Sequence, residues 1–374
     1  MRRLLLAFAL ALPAMLLVAG PARAVPVTGP TVTGRAVFGS TLTADPGQWS
    51  PAVATFAYQW LRDGAPINGA VGSAYTAGLD DLGKTLAVQV TAGDGSGVTT
   101  SPATAPVAEA TMTAKRQRVL GEPRFTHELK ARPGRFSAPD AVVTYTWPGG
   151  TTARSYVIRP EDVGSRVVLR IRAEAPGYEP LTVKVKSAVV RHRVDVRRTV
   201  RYHVETRGRI TTSVKEFRAQ AQETYDDPRG WRAAGIRFVP VARGGAFTLV
   251  LSQASLVPSF SSQCSSMWSC RVGRFVIINQ DRWKNASPAW NAAHLELRDY
   301  RHMVVNHETG HWLGLGHAGC PGKGRLAPVM MQQSKGLQGC RFNPFPTIHE
   351  LNSRTPHGRA MAHLMVRSYS PDVE

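Results

Sequence analysis

Near the C-terminal end the chain reads His307-Glu308-Thr309-Gly310-His311-Trp312-Leu313-Gly314-Leu315-Gly316-His317. On a helix, four residues advance about 400°, so His307 and His311 share one face, one turn apart and about 40° out of line. Two imidazoles so placed can bind one tetrahedral Zn²⁺ at about 2.0–2.1 Å. Glu308, next along, lies beside such an ion without binding it and can take a proton from a water there. A helix running past Leu313 would carry residue 317 away. Gly314 tolerates the positive φ that ends a helix, and this lets His317 return as a third ligand. Three neutral nitrogens leave a fourth position for water, the arrangement of a catalytic rather than a structural zinc. The expected metal ligands are thus His307, His311 and His317, with Glu308 as catalytic base and Zn²⁺ as cofactor. The pair H-E-x-x-H alone arises by chance in roughly one such chain in a hundred; the added Gly and His lower that to roughly a few in 10⁵.

The motif resembles the extended zinc signature of the metzincin metalloproteases, H-E-x-x-H-x-x-G-x-x-H. That resemblance implies a methionine-containing turn beneath the metal. Pro328-Val329-Met330-Met331-Gln332 stands at a suitable distance. Met330, which follows a β-branched residue, is expected to fill that place rather than Met331. Some metzincins carry a transition-state tyrosine two residues after the methionine; here that position is Gln332 or Gln333, so the aid is absent. The third ligand is His317, not the Asp of some small secreted bacterial members.

Residues 198–346 are also similar to an exported actinobacterial family with an uncharacterised zincin-like domain. The resemblance is carried by Asp227-Pro228-Arg229-Gly230-Trp231, Val276-Ile277-Ile278-Asn279, Val304-Val305-Asn306-His307-Glu308, Gly319-Cys320-Pro321 and Ala327 to Gln333. It implies fold and export rather than substrate.

The elements that must hold this motif can be read from hydrophobic spacing. Val200 to Glu205 alternates as a strand; Val214, Phe217, Ala221 and Tyr225 recur at helical spacing and stop at Asp226-Asp227-Pro228. Residues 236–241, 247–251 and 275–278 read as further strands, and Asn291 to Gly314 as mainly helix. The expected order is β-α-β-β-β-α, a mixed α/β (α+β) domain. His302, five residues before His307, falls about 140° round the helix and faces away from the metal. His294, His349, His357 and His363 have no ligand spacing.

Upstream lies a repeat. Leu42-Thr43-Ala44-Asp45-Pro46-Gly47-Gln48-Trp49-Ser50 recurs as Leu129-Lys130-Ala131-Arg132-Pro133-Gly134-Arg135-Phe136-Ser137, and Tyr58-Gln59-Trp60 as Tyr145-Thr146-Trp147. Asp81-Leu82-Gly83 matches Asp162-Val163-Gly164 at a shorter offset, so the second copy has a shorter loop. Each unit alternates in short stretches broken by Gly, Pro and Asp, as an antiparallel β-sandwich does. The units resemble the tandem immunoglobulin-like modules of secreted and surface actinobacterial proteins, which implies a spacer or adhesive scaffold. The basic connector Arg191 to Arg198 reads as a solvated linker or strand edge.

The chain opens with Arg2 and Arg3, an apolar run from Leu4 to Ala19, and Pro21-Ala22-Arg23-Ala24, a small-x-small cleavage pattern. We expect residues 1–24 to be a signal peptide, followed by immunoglobulin-like repeats at 25–107 and 108–190 and the metzincin-like domain at 191–374. The fold class is therefore multidomain, with two all-β sandwiches before an α/β (α+β) zinc protease domain. No other long apolar run exists, which excludes a polytopic membrane protein and leaves no stable membrane anchor after signal cleavage. Cys264, Cys270, Cys320 and Cys340 are even in number in an exported chain, which reads as two disulfides with three possible connectivities. Sequence proximity favours Cys264–Cys270 and Cys320–Cys340. A cysteine zinc site would need closer C-x-x-C spacing.

The formal charge of +20 falls to +17 without the leader, making anionic cell-wall polymers candidate partners. Tryptophan near Arg282-Trp283-Lys284 is the one hint of nucleic-acid stacking, and export argues against a specific nucleic-acid partner. The expected protein is a secreted, cell-wall-associated or extracellular monomer that acts as a zinc metalloendopeptidase on protein or peptide substrates. The substrate would lie extended along the sheet edge. The rival is a non-catalytic surface-binding or adhesive protein with a structural zinc domain.

Overall fold

A computed structural model describes residues 23–353 of the chain. The apolar run expected to be a signal peptide lies outside the described residues, as do His357 and His363. Ala24, the expected cleavage residue, is buried in the first repeat, and its N–H donates to Ser96 Oγ at 2.9 Å. No helix among the described residues is long and apolar enough to cross a membrane.

The first repeat is a β-sandwich. Thr31–Thr33, Thr41–Asp45 and Ala74–Thr76 form one antiparallel sheet. Phe56–Arg62, Leu86–Ala92, Val98–Thr100 and the short Ala65–Pro66 form the other. Alternation puts Leu42, Trp60, Leu86, Val88 and Val90 in the core between them. The second repeat has matching sheets: Arg118–Leu120, Glu128–Arg132 and Ser155–Val157, and Val142–Thr146, Arg166–Glu174 and Leu181–Val189.

The repeated residues do the same work in both copies. The indole N–H of Trp60 donates to Gly72 O and that of Trp147 to Ala153 O, both at 2.9 Å. Tyr75 and Tyr156 stack on these indoles and donate their hydroxyls to Asp81 and Asp162 at 2.8 and 2.7 Å. The shorter second loop replaces the Ala65–Pro66 strand with a turn at Pro148–Gly150.

By contact density the chain divides into two compact units. Among the described residues, one holds 23–118 with Pro133–Thr146 and Arg170–Lys184; the other holds Val119–Arg132, Trp147–Leu169 and 185–353. The second repeat thus contributes segments to both.

The remaining domain is built on β1 (Arg198–Arg207), α1 (Val214–Asp226), β2 (Ile236–Pro240), β3 (Phe247–Ser252), β4 (Cys270–Val272), β5 (Phe275–Asn279), α2 (Gln280–Asn285), α3 (Pro288–Ala292), α4 (Leu297–Trp312) and α5 (Ile348–Asn352). The sheet order is β2-β1-β3-β5-β4; the first four strands are parallel and β4 runs antiparallel at the edge. Helices α1 and α4 cover one face, and Phe217, Tyr225, Phe247, Val276, Val304 and Val305 share the core there.

Four features depart from the expected order, one of them α2, a helix that the spacing did not show. β4 adds a strand that three residues cannot announce by periodicity. The expected helix over 291–314 is two helices, α3 and α4, separated where His294 takes a φ of 54°. α5 was not expected. Trp283 is fully buried, with Phe217 against its ring at 4.7 Å, so it presents no stacking platform.

Candidate metal centre

α4 carries the first two histidines on its last turns. It is seated against α1 by two buried polar contacts: Thr224 Oγ1 to His302 Nδ1 at 2.8 Å and Tyr225 Oη to Thr309 Oγ1 at 2.9 Å. His302 therefore turns away from the histidine motif into the helix interface. The Trp231 indole N–H donates to Asn306 O at 3.0 Å. The helix ends where the motif requires it. Gly314 has a φ of 90°, and Leu315 N–H donates to Gly310 O at 3.0 Å, which redirects the chain toward His317.

The three imidazoles converge. His311 Nε2 lies 3.2 Å from both His307 Nε2 and His317 Nε2, and one nitrogen from each ring falls within 4.8 Å of the others. Two ligands about 2.0–2.1 Å from a tetrahedral ion lie about 3.3–3.4 Å apart, which matches this spacing.

The tautomers follow from the far side of each ring. His307 Nδ1 sits 2.7 Å from Val329 O and His311 Nδ1 2.9 Å from Leu315 O. A carbonyl can only accept, so each Nδ1 carries the proton and each Nε2 keeps its lone pair. Two lone pairs 3.2 Å apart repel unless a cation lies between them. A proton is a poor candidate for that cation. Burial, with His311 and His317 nearby, lowers the His307 pKa to about 3, and burial lowers those of His311 and His317 as well. The donor set, three neutral nitrogens with carbonyls fixing two of the tautomers, fits a Zn²⁺ ion.

Glu308 is buried, and no hydrogen bond or ion pair to its carboxyl occurs among the described residues. Desolvation alone pushes its pKa up to about 8. An acid held this way stores a proton unless a nearby cation draws it off.

The floor of the site is the segment 328–331. Met330 is buried beneath α4, and a Cβ on Gly310 would stand 2.2 Å from Met330 Sδ. Met331 turns the other way, packing with Ala327 and Cys340. Met330 O accepts from Ala318 N at 3.1 Å, which ties this floor to the residue after His317. Disulfides join Cys320 to Cys340, around the floor, and Cys264 to Cys270, at the start of the edge strand β4. Gln333, one of the two positions considered for an absent tyrosine, is buried and hydrogen-bonds Pro328 O and Asn343; Gln332 is exposed.

Sequence reasoning missed Glu350. Its buried carboxylate accepts from Met330 N at 2.7 Å, Val329 N at 3.1 Å, Thr347 N at 2.6 Å and Thr347 Oγ1 at 2.8 Å. One anion thus clamps both peptide groups of the floor, and the Val329 carbonyl in turn orients His307. A signal was present: Thr347-Ile348-His349-Glu350 is a capping box.

A family model described as a protein of unknown function (DUF3152) matches residues 181–351. No curated protein matches the chain. Among solved structures it is similar to the three N-terminal domains of the Hoc outer capsid protein of bacteriophage RB49, at 16% identity over 48% of this chain and 65% of that one, with a TM-score of 0.23. It is also similar to a two-domain fibronectin type-III segment of chicken tenascin, at 14% identity over 43% and 100%, with a TM-score of 0.25. The Ig1-2 module of the Drosophila receptor protein tyrosine phosphatase DLAR is similar at 12% identity over 44% and 97%, with a TM-score of 0.16.

Proposed function

We propose that the protein is a secreted zinc-dependent endopeptidase of metzincin type, its chemistry carried by the domain after the two repeats. One observation carries the reading. Three imidazole nitrogens whose protons burial disfavours converge at metal-ligand spacing, beside a buried carboxyl with no partner among the described residues. Zinc, when bound, supplies a Lewis acid that brings the pKa of a water to about 7. Glu308 then takes a proton from the attacking water at its carboxylate. As the water oxygen bonds to the carbonyl carbon and the C–N bond breaks, Glu308 delivers that proton to the departing amine nitrogen. The strand β4 offers its outer main-chain groups, which have no strand partner among the described residues, to an extended peptide.

The test uses the zinc-loaded chain, a mixed peptide pool and mass spectrometry, with and without chelator. Cleavage should require metal, and Glu308→Gln should keep near-stoichiometric zinc while losing about 10²-fold or more in rate. Full activity in that variant refutes the mechanism. Zinc binding without cleavage of any peptide supports an inert scaffold instead.

A further inference from the structure

Around the three histidines the charge is of one sign. No Asp or Glu occurs between Asp227 and Asp281 or between Glu308 and Glu350, while those two stretches carry six and four Lys or Arg residues. The first supplies the edge strand β4, and the second supplies the loop of His317 and the methionine floor. Two of these cations, Arg271 and Lys335, are exposed.

Register places Arg271. It stands opposite Val276 across the β4–β5 pair, and directly opposed residues point to the same face. Val276 is packed in the core that holds Val304 and Val305 of α4, whereas the next pair, Cys270 and Ile277, belongs to a separate cluster on the other face. Arg271 therefore projects on the α4 side of the sheet, from the edge where a peptide would add as a strand. Lys335 follows Ser334, whose Oγ lies 3.0 Å from the Tyr300 hydroxyl of α4, and stands four residues after Met331 of the floor. The two cations thus come from different walls, one from the edge strand and one from the segment that follows the methionine floor.

We infer that this cleft selects peptides with acidic side chains on both sides of the scissile bond, with Arg271 and Lys335 each facing one of them. The inference rests on the endopeptidase reading and names its substrate class. Among the described residues buried Glu308 is the carboxylate next to the triad, and in the endopeptidase reading it serves the water rather than the substrate's side chains. A basic peptide meets two uncompensated like charges, while an acidic one is steered in and held at the edge strand.

The experiment compares fluorogenic peptides that differ only in the residues flanking the cleaved bond: Asp or Glu, Asn or Gln, or Lys. With the zinc-loaded full chain, kcat/KM should be about 10-fold or more higher for the acidic series at low salt, with the margin shrinking at 0.5 M salt. Arg271→Glu and Lys335→Glu should each erase about 10-fold of that preference. Arg237→Glu, an equal charge change on β2 at the opposite sheet edge, should leave it intact. Equal hydrolysis of the three series, or an equal loss in the Arg237 variant, overturns the inference and leaves the endopeptidase reading standing. A parallel anisotropy titration of a labelled acidic peptide onto the zinc-loaded Glu308→Gln chain separates the reverse case. Binding that depends on Arg271 and Lys335, with no peptide cleaved by the native chain, keeps the acidic-peptide site and discards the hydrolase. Neither binding nor cleavage discards both.

Discussion

Adding a single methyl group at residue 310 should decide how tightly the methionine floor is packed against the zinc-binding helix. Gly→Ala inside a helix ordinarily stabilises by about 1 kcal/mol. At Gly310 the new Cβ would stand 2.2 Å from Met330 Sδ, 2.9 Å from Trp231 Cζ2 and 3.3 Å from Met330 Cε. Ordinary carbon contacts lie at about 3.5–4.0 Å, so something must move by about 1.5 Å. Neither neighbour yields freely. Trp231 is fully buried with its N–H on Asn306 O, and the Met330 main chain is clamped by Glu350. Overpacking of this kind costs about 1–3 kcal/mol, which offsets or outweighs the helix gain and leaves a net loss of up to about 2 kcal/mol. For a domain of this size each kcal/mol lowers Tm by about 2–4 °C. Gly310→Ala should therefore melt lower by up to about 8 °C by calorimetry and bind zinc more weakly, since the shifted floor carries the Val329 carbonyl that holds His307. Gly319→Ala, where the new methyl would meet nothing within 4 Å, is the control and should stay within about 0.5 kcal/mol. A variant at residue 310 that melts higher than the native chain, with unchanged zinc affinity, would refute the close packing of Met330 under α4.

Three further outcomes follow from the same geometry. In the chelated protein, His307 titrates at about 3 folded against 6.5 unfolded, so the unfolded chain binds more protons below pH 6.5 and stability falls on acidification. Glu308 at about 8 against 4.5 does the opposite, and its contribution is lost as pH rises toward 8; each group sets a slope of up to about 1.4 kcal/mol per pH unit. These two slopes cancel between about pH 4.5 and 6.5, so the acid decline there is left to His311 and His317, whose pKa values burial also lowers. Urea melts from pH 5 to 8.5 should thus show a shallow maximum near 6.5, and Glu308→Gln should remove the alkaline decline and steepen the acid one. Glu350→Gln leaves one acceptor oxygen for four donors, costing about 1–3 kcal/mol and about 10- to 100-fold in zinc affinity by competition titration; unchanged affinity would show that the clamp does not reach His307. Cys340→Ser opens a bridge across 20 residues, worth about 3 kcal/mol, and should weaken zinc retention while the cysteine-free repeats keep their own melting transition.

The parts legible in the sequence were those in which one local pattern forces one geometry. The four-residue spacing of His307 and His311 leaves helix no choice of face, and Gly314 marks the only residue that turns the chain without a Cβ penalty. The Asp81 and Asp162 repeats were visible as a match, but not their task, because the tyrosines they bind lie six residues upstream across a turn. β4 stayed hidden because three residues show no period, and its place is set by pairing with β5. Glu350 was hidden for a different reason. Its capping box is a local signal, but the two main-chain groups it also binds are 20 and 21 residues away in sequence, and no spacing rule connects a helix cap to a floor beneath another helix.

That clamp bears on how fold and metal depend on each other. The triad is assembled from two stretches: α4, held by Thr224 and Tyr225 of α1, and residues 313–350, rich in Gly and Pro and held by a disulfide, Asn343 with Gln333, and Glu350. The first stretch is rigid without metal, because its contacts are core contacts. The second has no buried residue between 313 and 326; it meets the first at Met330, the Val329 carbonyl and the histidines, and through Ser334 on Tyr300, Pro344 O on Asn306 Nδ2 and Phe345 on His302. An ion drawing His317 to His307 and His311 would therefore cross-link the two stretches where packing is thinnest. At a free zinc concentration 1,000-fold above Kd that link is worth about 4.1 kcal/mol. Its effect should concentrate in the second stretch. Amide exchange in 313–345 should slow on adding zinc, while exchange in α1 and the parallel strands barely changes; uniform slowing across the domain would mean that the ion instead stabilises a single cooperative unit.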